Sequence, residues 1–216
     1  MIILVDFSKA FDSIEHSYIE SALESFGFGP VFRSWIALLL KDRFSQVVMA
    51  GHPTPVINLE RGVPQGDPAS AYLFLLAVEI LSIKIRASTK IEGLKIGENE
   101  SKIDFYADDL TATLLRTEQN LREMFKTLDS FALASGLAVN LSKTAVMYIG
   151  ANQDAPILCP DLGLEWPTEF KLLGIIFTKV LLEMTENYKR PLSQIRAEAE
   201  SWIYCMPTTL GRAEIL

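Results

Sequence analysis

Three acidic side chains carry most of the chemistry legible in this sequence. Asp6 ends a short run of apolar strand formers, Ile2-Ile3-Leu4-Val5, and Asp108-Asp109 lie in Tyr106-Ala107-Asp108-Asp109-Leu110, about a hundred residues further on. Carboxylates gathered in one place repel by about 4 kcal/mol per pair at 4 Å when the effective dielectric is near 20, so a site built from them needs a positive partner. Their oxygens are hard ligands that select Mg²⁺, or Mn²⁺, over softer metals. Two such ions about 3.5–4 Å apart activate an attacking oxygen and stabilise a leaving one, which is the arrangement of phosphoryl transfer. Taken alone, an Asp-Asp dipeptide more often marks nothing beyond a solvated hairpin tip. The surrounding sequence decides between the two.

The elements that would position these residues can be read from periodicity. Ile2 to Val5 predict a buried strand that delivers Asp6 at its end. Ser17-Tyr18-Ile19-Glu20 is a capping-box pattern, followed by Ile19, Ala22, Leu23 and Phe26 at helical spacing up to Gly27. Gly29-Pro30 opens a second helix whose Val31, Trp35, Leu38 and Leu39 predict a core face. Phe44 to Ala50 and Thr54 to Glu60 read as a hairpin around Gly51-His52-Pro53. Asp67-Pro68 caps a long helix running to about Ser88. Lys102 to Tyr106 and Leu110 to Leu115 predict two strands joined through the acidic turn. A further helix shows Leu121, Met124, Phe125, Leu128 and Phe131 on one face and ends at Gly136, with a strand from Ala145 to Ile149 after it. Residues 151–168 read as a loop, Phe170 to Thr178 as a hairpin strand, and Leu192, Ile195, Ala199, Trp202 and Ile203 as a last helix. The order implies an α+β layer, an antiparallel sheet with helices packed on one face.

Composition narrows the setting. With 216 residues, 49% of them hydrophobic, the chain can bury a substantial core. The longest apolar stretch, Ala69 to Ile83, falls short of the roughly 20 residues a membrane span needs and reads as a buried helix. The first residues show no basic leader, so an intracellular, non-secreted protein with no membrane role is expected. Cys159 and Cys205 are too far apart to suggest a zinc or disulfide framework. The net charge of −7 is awkward for a nucleic-acid enzyme, since phosphate binding draws on clustered Lys and Arg.

Five strings occur in order: Val5-Asp6-Phe7-Ser8-Lys9-Ala10-Phe11-Asp12, Arg61-Gly62-Val63-Pro64-Gln65-Gly66-Asp67-Pro68, Phe105-Tyr106-Ala107-Asp108-Asp109, Gly136-Leu137-Ala138-Val139-Asn140-Leu141-Ser142-Lys143-Thr144 and Phe170-Lys171-Leu172-Leu173-Gly174. Together they resemble polymerase motifs A to E of reverse transcriptases, most closely those of non-LTR retrotransposons. The resemblance implies a polymerase palm with an RRM/ferredoxin-like core over residues 1–180 and the truncated start of a helical thumb over residues 181–216. It implies an RNA-directed DNA polymerase, a nucleotidyltransferase that adds dNTPs to a primer 3′-hydroxyl with two Mg²⁺ ions, Mn²⁺ being able to substitute. Its partners would be an RNA template, a DNA primer, dNTPs and the remainder of a longer retroelement polyprotein carrying fingers and thumb, with or without an endonuclease.

By that resemblance Asp6 and Asp108 are the principal metal ligands, with Phe7 lending its backbone carbonyl and Asp109 the weaker third carboxylate. Phe11 matches an aromatic steric gate against the ribose 2′-hydroxyl, and a plain core aromatic is the other reading of the same ring. Arg61, Gln65 and Gly66 would border the nucleotide. Lys143 matches a lysine that protonates pyrophosphate, or is a solvated surface lysine. Phe170, Lys171, Leu172 and Gly174 resemble the primer grip, although ordinary sheet packing would also suit them. Asn187-Tyr188, Trp202 and Gly211-Arg212 resemble the first thumb helices.

The match departs from the family at Ala69-Ser70-Ala71, where Leu-Ser-Pro is usual, and with Asp6 so near the first residue the fingers segment that precedes motif A is expected to lie outside this chain. A fragment with little or no activity of its own is therefore expected. Two other readings stand beside it: a degenerate, non-catalytic retroelement remnant, and an RNA-dependent RNA polymerase, against which Phe11 argues.

Overall fold

The computed structural model describes residues 1–149, 155–179 and 184–205. Its contacts divide the chain into two compact units, the first spanning Met1–Tyr148 and resuming before Trp166, the second holding the residues from Pro167 on. The division expected at residue 180 follows a change in helix character, whereas the contacts separate the chain ahead of the hairpin at 169–178.

The first unit is built on a four-stranded sheet. β1 (Ile2–Val5) leads into a short α1 (Ala10–Ser13), then α2 (His16–Ser25) and α3 (Pro30–Leu40). Two short antiparallel pairs follow, β2 (Phe44–Ser45) with β5 (Ile57–Asn58) and, inside them, β3 (Val48–Met49) with β4 (His52–Pro53). After α4 (Pro68–Ala87) comes a small hairpin, β6 (Leu94–Ile96) with β7 (Asn99–Ser101). Then β8 (Ile103–Tyr106), β9 (Asp109–Thr113), α5 (Glu118–Ser135) and β10 (Ala145–Met147) complete the unit. The sheet order is β10-β1-β9-β8, all neighbours antiparallel. Counting only these four strands along the chain, the spatial order is 4-1-3-2, the connectivity of the ferredoxin-like β-α-β-β-α-β arrangement.

Alternation fixes which side chains face the helices. Ile3 and Val5 pair with Ala112 and Leu110, Ala112 pairs in turn with Ile103, and Ile3 also pairs with Val146. All six are buried in one core with Phe74, Leu81, Leu121 and Leu128 of α4 and α5. Ile2, Leu4, Thr111 and Thr113, on the opposite parity, are only partly covered.

α4 is nucleated as expected: Asp67 is its N-cap, accepting 2.8 Å from the Ala69 N–H, and Pro68 occupies the first turn. Its 20 residues are long and apolar enough, by length and composition alone, to cross a membrane. Here they present Leu73, Phe74, Ala77, Val78, Leu81 and Ile85 to the core, a stripe at helical spacing. Its C-terminal end is closed by a buried cation that periodicity could not reveal. Lys102, 8% exposed, donates to the carbonyls of Ser88 (2.7 Å) and Arg86 (3.2 Å) and pairs with Glu100. Lys102→Met removes both bonds made by the buried ammonium and is expected to cost about 1–3 kcal/mol in a urea-unfolding measurement. An unchanged midpoint would mean that water replaces the ammonium freely.

α5 buries Leu121, Met124, Phe125, Leu128 and Phe131, and Gly136 caps it at φ 79°. Two expectations for the earlier helices are corrected. The helix after Ile14 starts at His16, not after a Ser17 cap, because the Glu15 carbonyl already accepts from the Tyr18 and Ile19 N–H groups. α3 turns the other way round: Ile36 and Leu40 are buried, while Val31, Trp35, Leu38 and Leu39 are 60–71% exposed. The hairpin turn also sits one residue earlier than expected, at Ala50-Gly51, both at positive φ, so His52-Pro53 are paired residues.

In the second unit, β11 (Glu169–Leu172) and β12 (Ile175–Thr178) form a hairpin around Leu173-Gly174, both at positive φ, and α6 (Glu186–Cys205) follows. The Asn187 side chain accepts from the Ile176 N–H and donates to its carbonyl, at 2.8 and 2.7 Å, which ties the start of α6 to the hairpin. Gly211-Arg212 lie outside the described residues.

Candidate active site

Asp6 follows Val5, and Val5 stands opposite Leu110, so the antiparallel register puts Asp6 level with Asp109 on the face of the sheet away from the helices. Tyr106 pairs with Asp109 across a two-residue turn of Ala107 and Asp108, with Ala107 at φ 54°. All three carboxylates therefore meet at one edge of β1 and the β8–β9 hairpin. Asp108 and Asp109 are exposed and Asp6 is half-buried.

Their mutual proximity is felt electrostatically. Partial desolvation, then Asp108, then Asp6 hold the Asp109 carboxyl above the usual carboxylate range. Among the described residues no three His, Cys, Asp or Glu side chains close into a ready metal cage. The donor set nevertheless suits a hard divalent cation: carboxylate oxygens only, Asp6 and Asp109 on one face of the sheet and Asp108 in the adjoining turn.

A raised folded-state pKa means that the folded chain still holds a proton where the unfolded chain has released it. Ionised Asp109 thus opposes folding above its folded pKa, and the opposition fades as pH falls through that value. Asp109→Asn is expected to raise Tm by about 1–3 °C near pH 7. The gain should vanish as pH falls below the ordinary carboxylate range of about 4. A variant that melts lower than the parent at neutral pH would contradict the repulsion.

The segment after α5 runs alongside Asp6. The Asn140 N–H donates to the Asp6 carbonyl (2.8 Å) and the Ser8 N–H to the Ala138 carbonyl (2.9 Å), bracketing a bridge between Phe7 and Val139. The Phe7 ring is buried, which fixes the backbone on which Asp6 stands. Lys143, exposed, donates its backbone N–H to the Asn140 carbonyl at 3.1 Å, two hydrogen bonds along from Asp6.

The 61–68 loop is strapped across the turn that carries Phe11. The Gly62 N–H donates to the Ile14 carbonyl and the Val63 N–H to the Phe11 carbonyl, both at 2.7 Å, and His16 Nε2 lies 2.8 Å from the Gly62 carbonyl. Arg61 pairs with Glu15 at 3.5 Å and is mostly exposed. A cavity of about 530 Å³ opens beside this loop, bordered by Phe11, Gln65, Gly66, Ser70 and Ala71. Phe11 is half-buried and stacks on buried Phe74, with centroids 4.6 Å apart and an interplanar angle of 21°. One ring thus packs on the core and also lines the cavity. Ser70, 3% exposed, has a hydroxyl with no hydrogen-bond partner. An orphaned buried hydroxyl costs about 1–3 kcal/mol. In the sequence Ser70 stands out only as part of the Ala69-Ser70-Ala71 departure from pattern.

In the second unit Phe170 stacks on Phe177 at 5.2 Å, Lys171 is exposed, Leu172 is half-buried and Gly174 has φ 85°. The aromatic pair thus serves hairpin packing.

A family model described as reverse transcriptase (RNA-dependent DNA polymerase) matches residues 1–177, and the chain belongs to that family. Relatives place it among the reverse transcriptase domains of non-LTR elements. The chain is 31% identical over 155 residues to a Pol polyprotein from the type-1 retrotransposable element R2 of Popillia japonica, covering 70% of this chain and 21% of that one. It is 31% identical over 188 residues to that of the type-2 element R2DM of Drosophila melanogaster, covering 81% and 17%. It is 27% identical over 212 residues to the transposon TX1 uncharacterized 149 kDa protein of Xenopus laevis, covering 96% and 15%. The chain therefore spans about a fifth or less of the length of these relatives. Among solved structures, the telomerase of Candida albicans in complex with a TWJ fragment of telomeric RNA shares the fold, with a TM-score of 0.52 at 12% identity, covering 82% of this chain and 29% of that one.

Proposed function

We propose that this chain is the palm of an RNA-directed DNA polymerase, with the start of a thumb, and that it extends a DNA primer on an RNA template inside the cell as part of a longer retroelement protein. The observation that carries the reading is the register that sets Asp6 level with Asp109 beside the Asp108 turn. Asp6 and Asp108, with the Phe7 carbonyl and Asp109, are the residues that would hold two Mg²⁺ ions. Those ions, when bound, activate the primer 3′-hydroxyl and offset charge at the α-phosphate. Phe11, Gln65 and Gly66 border the space for the nucleotide, and the Phe11 ring denies room to a ribose 2′-hydroxyl. Lys143 Nζ gives a proton to the departing pyrophosphate. Arg61 would exchange its exposed pairing with Glu15 for a phosphate, an exchange that costs little at such a solvated pair. Phe170, Lys171, Leu172 and Gly174 hold the primer end.

The test is incorporation of dNTPs against NTPs, in a protein that carries this domain with its flanking sequence. Preference for dNTPs supports the reading and preference for NTPs overturns it. Phe11→Val is expected to shift the ratio towards NTPs by about ten- to a hundredfold, the order of discrimination that a pocket exerts on one hydroxyl. A melting curve run alongside accounts for the lost stacking on Phe74. A non-catalytic remnant is the second reading, favoured by carboxylates that do not close into a cage. Template-dependent extension by the intact protein excludes it.

A further inference from the structure

We propose that His16 is a positioning residue of this site: by hydrogen bonding to the Gly62 carbonyl, its imidazole holds the 61–68 loop against the segment that follows Asp6. The inference rests on the polymerase reading above and adds to it a residue that acts through a loop rather than by touching the substrate.

The loop is anchored at one end and bare at the other. Gly62 and Val63 are buried, whereas Gln65, Gly66 and Asp67 are exposed and border the cavity beside Phe11. Where the bare end stands is therefore decided by how the buried end is held. Gly62 is gripped on both of its backbone groups, the N–H donating to the Ile14 carbonyl at 2.7 Å and the carbonyl lying 2.8 Å from His16 Nε2. A carbonyl oxygen can only accept, so the imidazole carries a proton on Nε2 and donates it here. The Val63 N–H donates to the Phe11 carbonyl, a backbone bond that does not depend on which side chains are present. Arg61 pairs with Glu15 in an exposed position, where such a pair contributes little. His16 is thus where a particular side chain enters the anchor.

The same stretch of chain is tied to the acidic edge. The Glu15 N–H donates to the Ser135 carbonyl at 2.8 Å, and the segment after α5 goes on to meet the Asp6 carbonyl through the Asn140 N–H. As the first residue of α2, His16 stands where the loop, the end of α5 and the strand bearing Asp6 are joined. Its ring also borders a cavity of about 360 Å³ between α2 and α3, so a shorter side chain there opens onto existing space rather than leaving a new void in the core. Losing one neutral hydrogen bond shifts a two-state loop by about two- to tenfold, and the apparent affinity for a ligand that needs the held state falls by up to that factor.

The experiment compares His16→Asn and His16→Gln with the parent, in a protein that carries this domain with its flanking sequence. Gln places its amide nitrogen as many bonds from Cβ as Nε2 is, and Asn places its own one bond short, so both are polar and only Gln reaches Gly62. Two quantities are read: amide hydrogen exchange of a peptide covering 61–68, and KM and kcat for dNTP in primer extension on an RNA template. His16→Asn is expected to speed exchange of the Gly62 and Val63 amides and to raise KM, each by about two- to tenfold, with kcat near that of the parent. His16→Gln should recover most of both. A role in folding alone would instead lower kcat with the fraction of folded protein and leave KM where it was. That pattern, or faster exchange with KM unmoved, overturns the positioning role. Unchanged exchange in His16→Asn overturns it too, because water then serves the Gly62 carbonyl as well as the ring does, and the polymerase reading stays in place. If the parent extends no primer, the polymerase reading falls and takes this inference with it.

Discussion

Asp108→Asn is expected to lower primer extension on an RNA template by about a thousandfold or more, in a protein that carries this domain with its flanking sequence. The substitution keeps shape and removes only charge. Asp108 is exposed in a two-residue turn, so the fold loses nothing when it changes. On the proposed reading, what goes is half of the carboxylate pair that would offset negative charge at the phosphate, and losing one preorganised electrostatic contact of this kind costs about a hundred- to a thousandfold even without a metal. Asp129→Asn, an equal charge change on an exposed position of α5, should leave extension as it was. Extension retained by Asp108→Asn would remove the turn from the reaction.

Gly62→Ala should be the most damaging single change to the scaffold around the cavity. A methyl at Gly62 would sit 2.8 Å from both the Cα and the carbonyl oxygen of Asp12, and the residue is at φ 81°. Backbone atoms cannot step aside as a side-chain end could. Yielding would break the bonds that hold Gly62 to Ile14 and Val63 to Phe11. A loss of about 2–4 kcal/mol is expected, or about 5–15 °C in Tm. Gly66 separates the two causes, because it has φ 89° with nothing within 4 Å of an added methyl. Gly66→Ala should cost only the backbone strain, about 1–2 kcal/mol. Equal melting of the two variants would show that the close approach to Asp12 contributes nothing.

What could be read from sequence follows from how locally each feature is determined. The β1 strand, the Asp67 cap, the apolar stripe of α5 and the αL glycine after it are set by neighbours a few residues apart, and they stand where periodicity put them. The acidic edge was legible because Asp6 follows a strand and Asp108-Asp109 sit at a hairpin tip, so only the pairing of β1 with β9 was needed to join them. The face of α3 was not. Its sequence is apolar nearly all round, and local pattern cannot tell which side meets α2. The Ser17 capping box does not set the start because Glu15, the residue before the helix, is held by its partners at Ser135 and Arg61, which fix the helix start from outside. The β6–β7 hairpin escaped notice since two three-residue strands around Gly97-Glu98 carry too short an alternation to register. Lys102 and Ser70 were invisible as buried polar residues, because burial of that kind is decided by distant parts of the chain.

The outward side of α3 sets a practical bound on the isolated chain. Val31, Trp35, Leu38 and Leu39 form a greasy ridge, and Val48 and Met49 on the nearby short strands are as bare. Molecules carrying such a ridge stick to one another and to plastic, the more so in ammonium sulfate, where burial of oily surface is favoured. Solubility, well before any loss of folding, will limit how concentrated a solution of this polypeptide can be made.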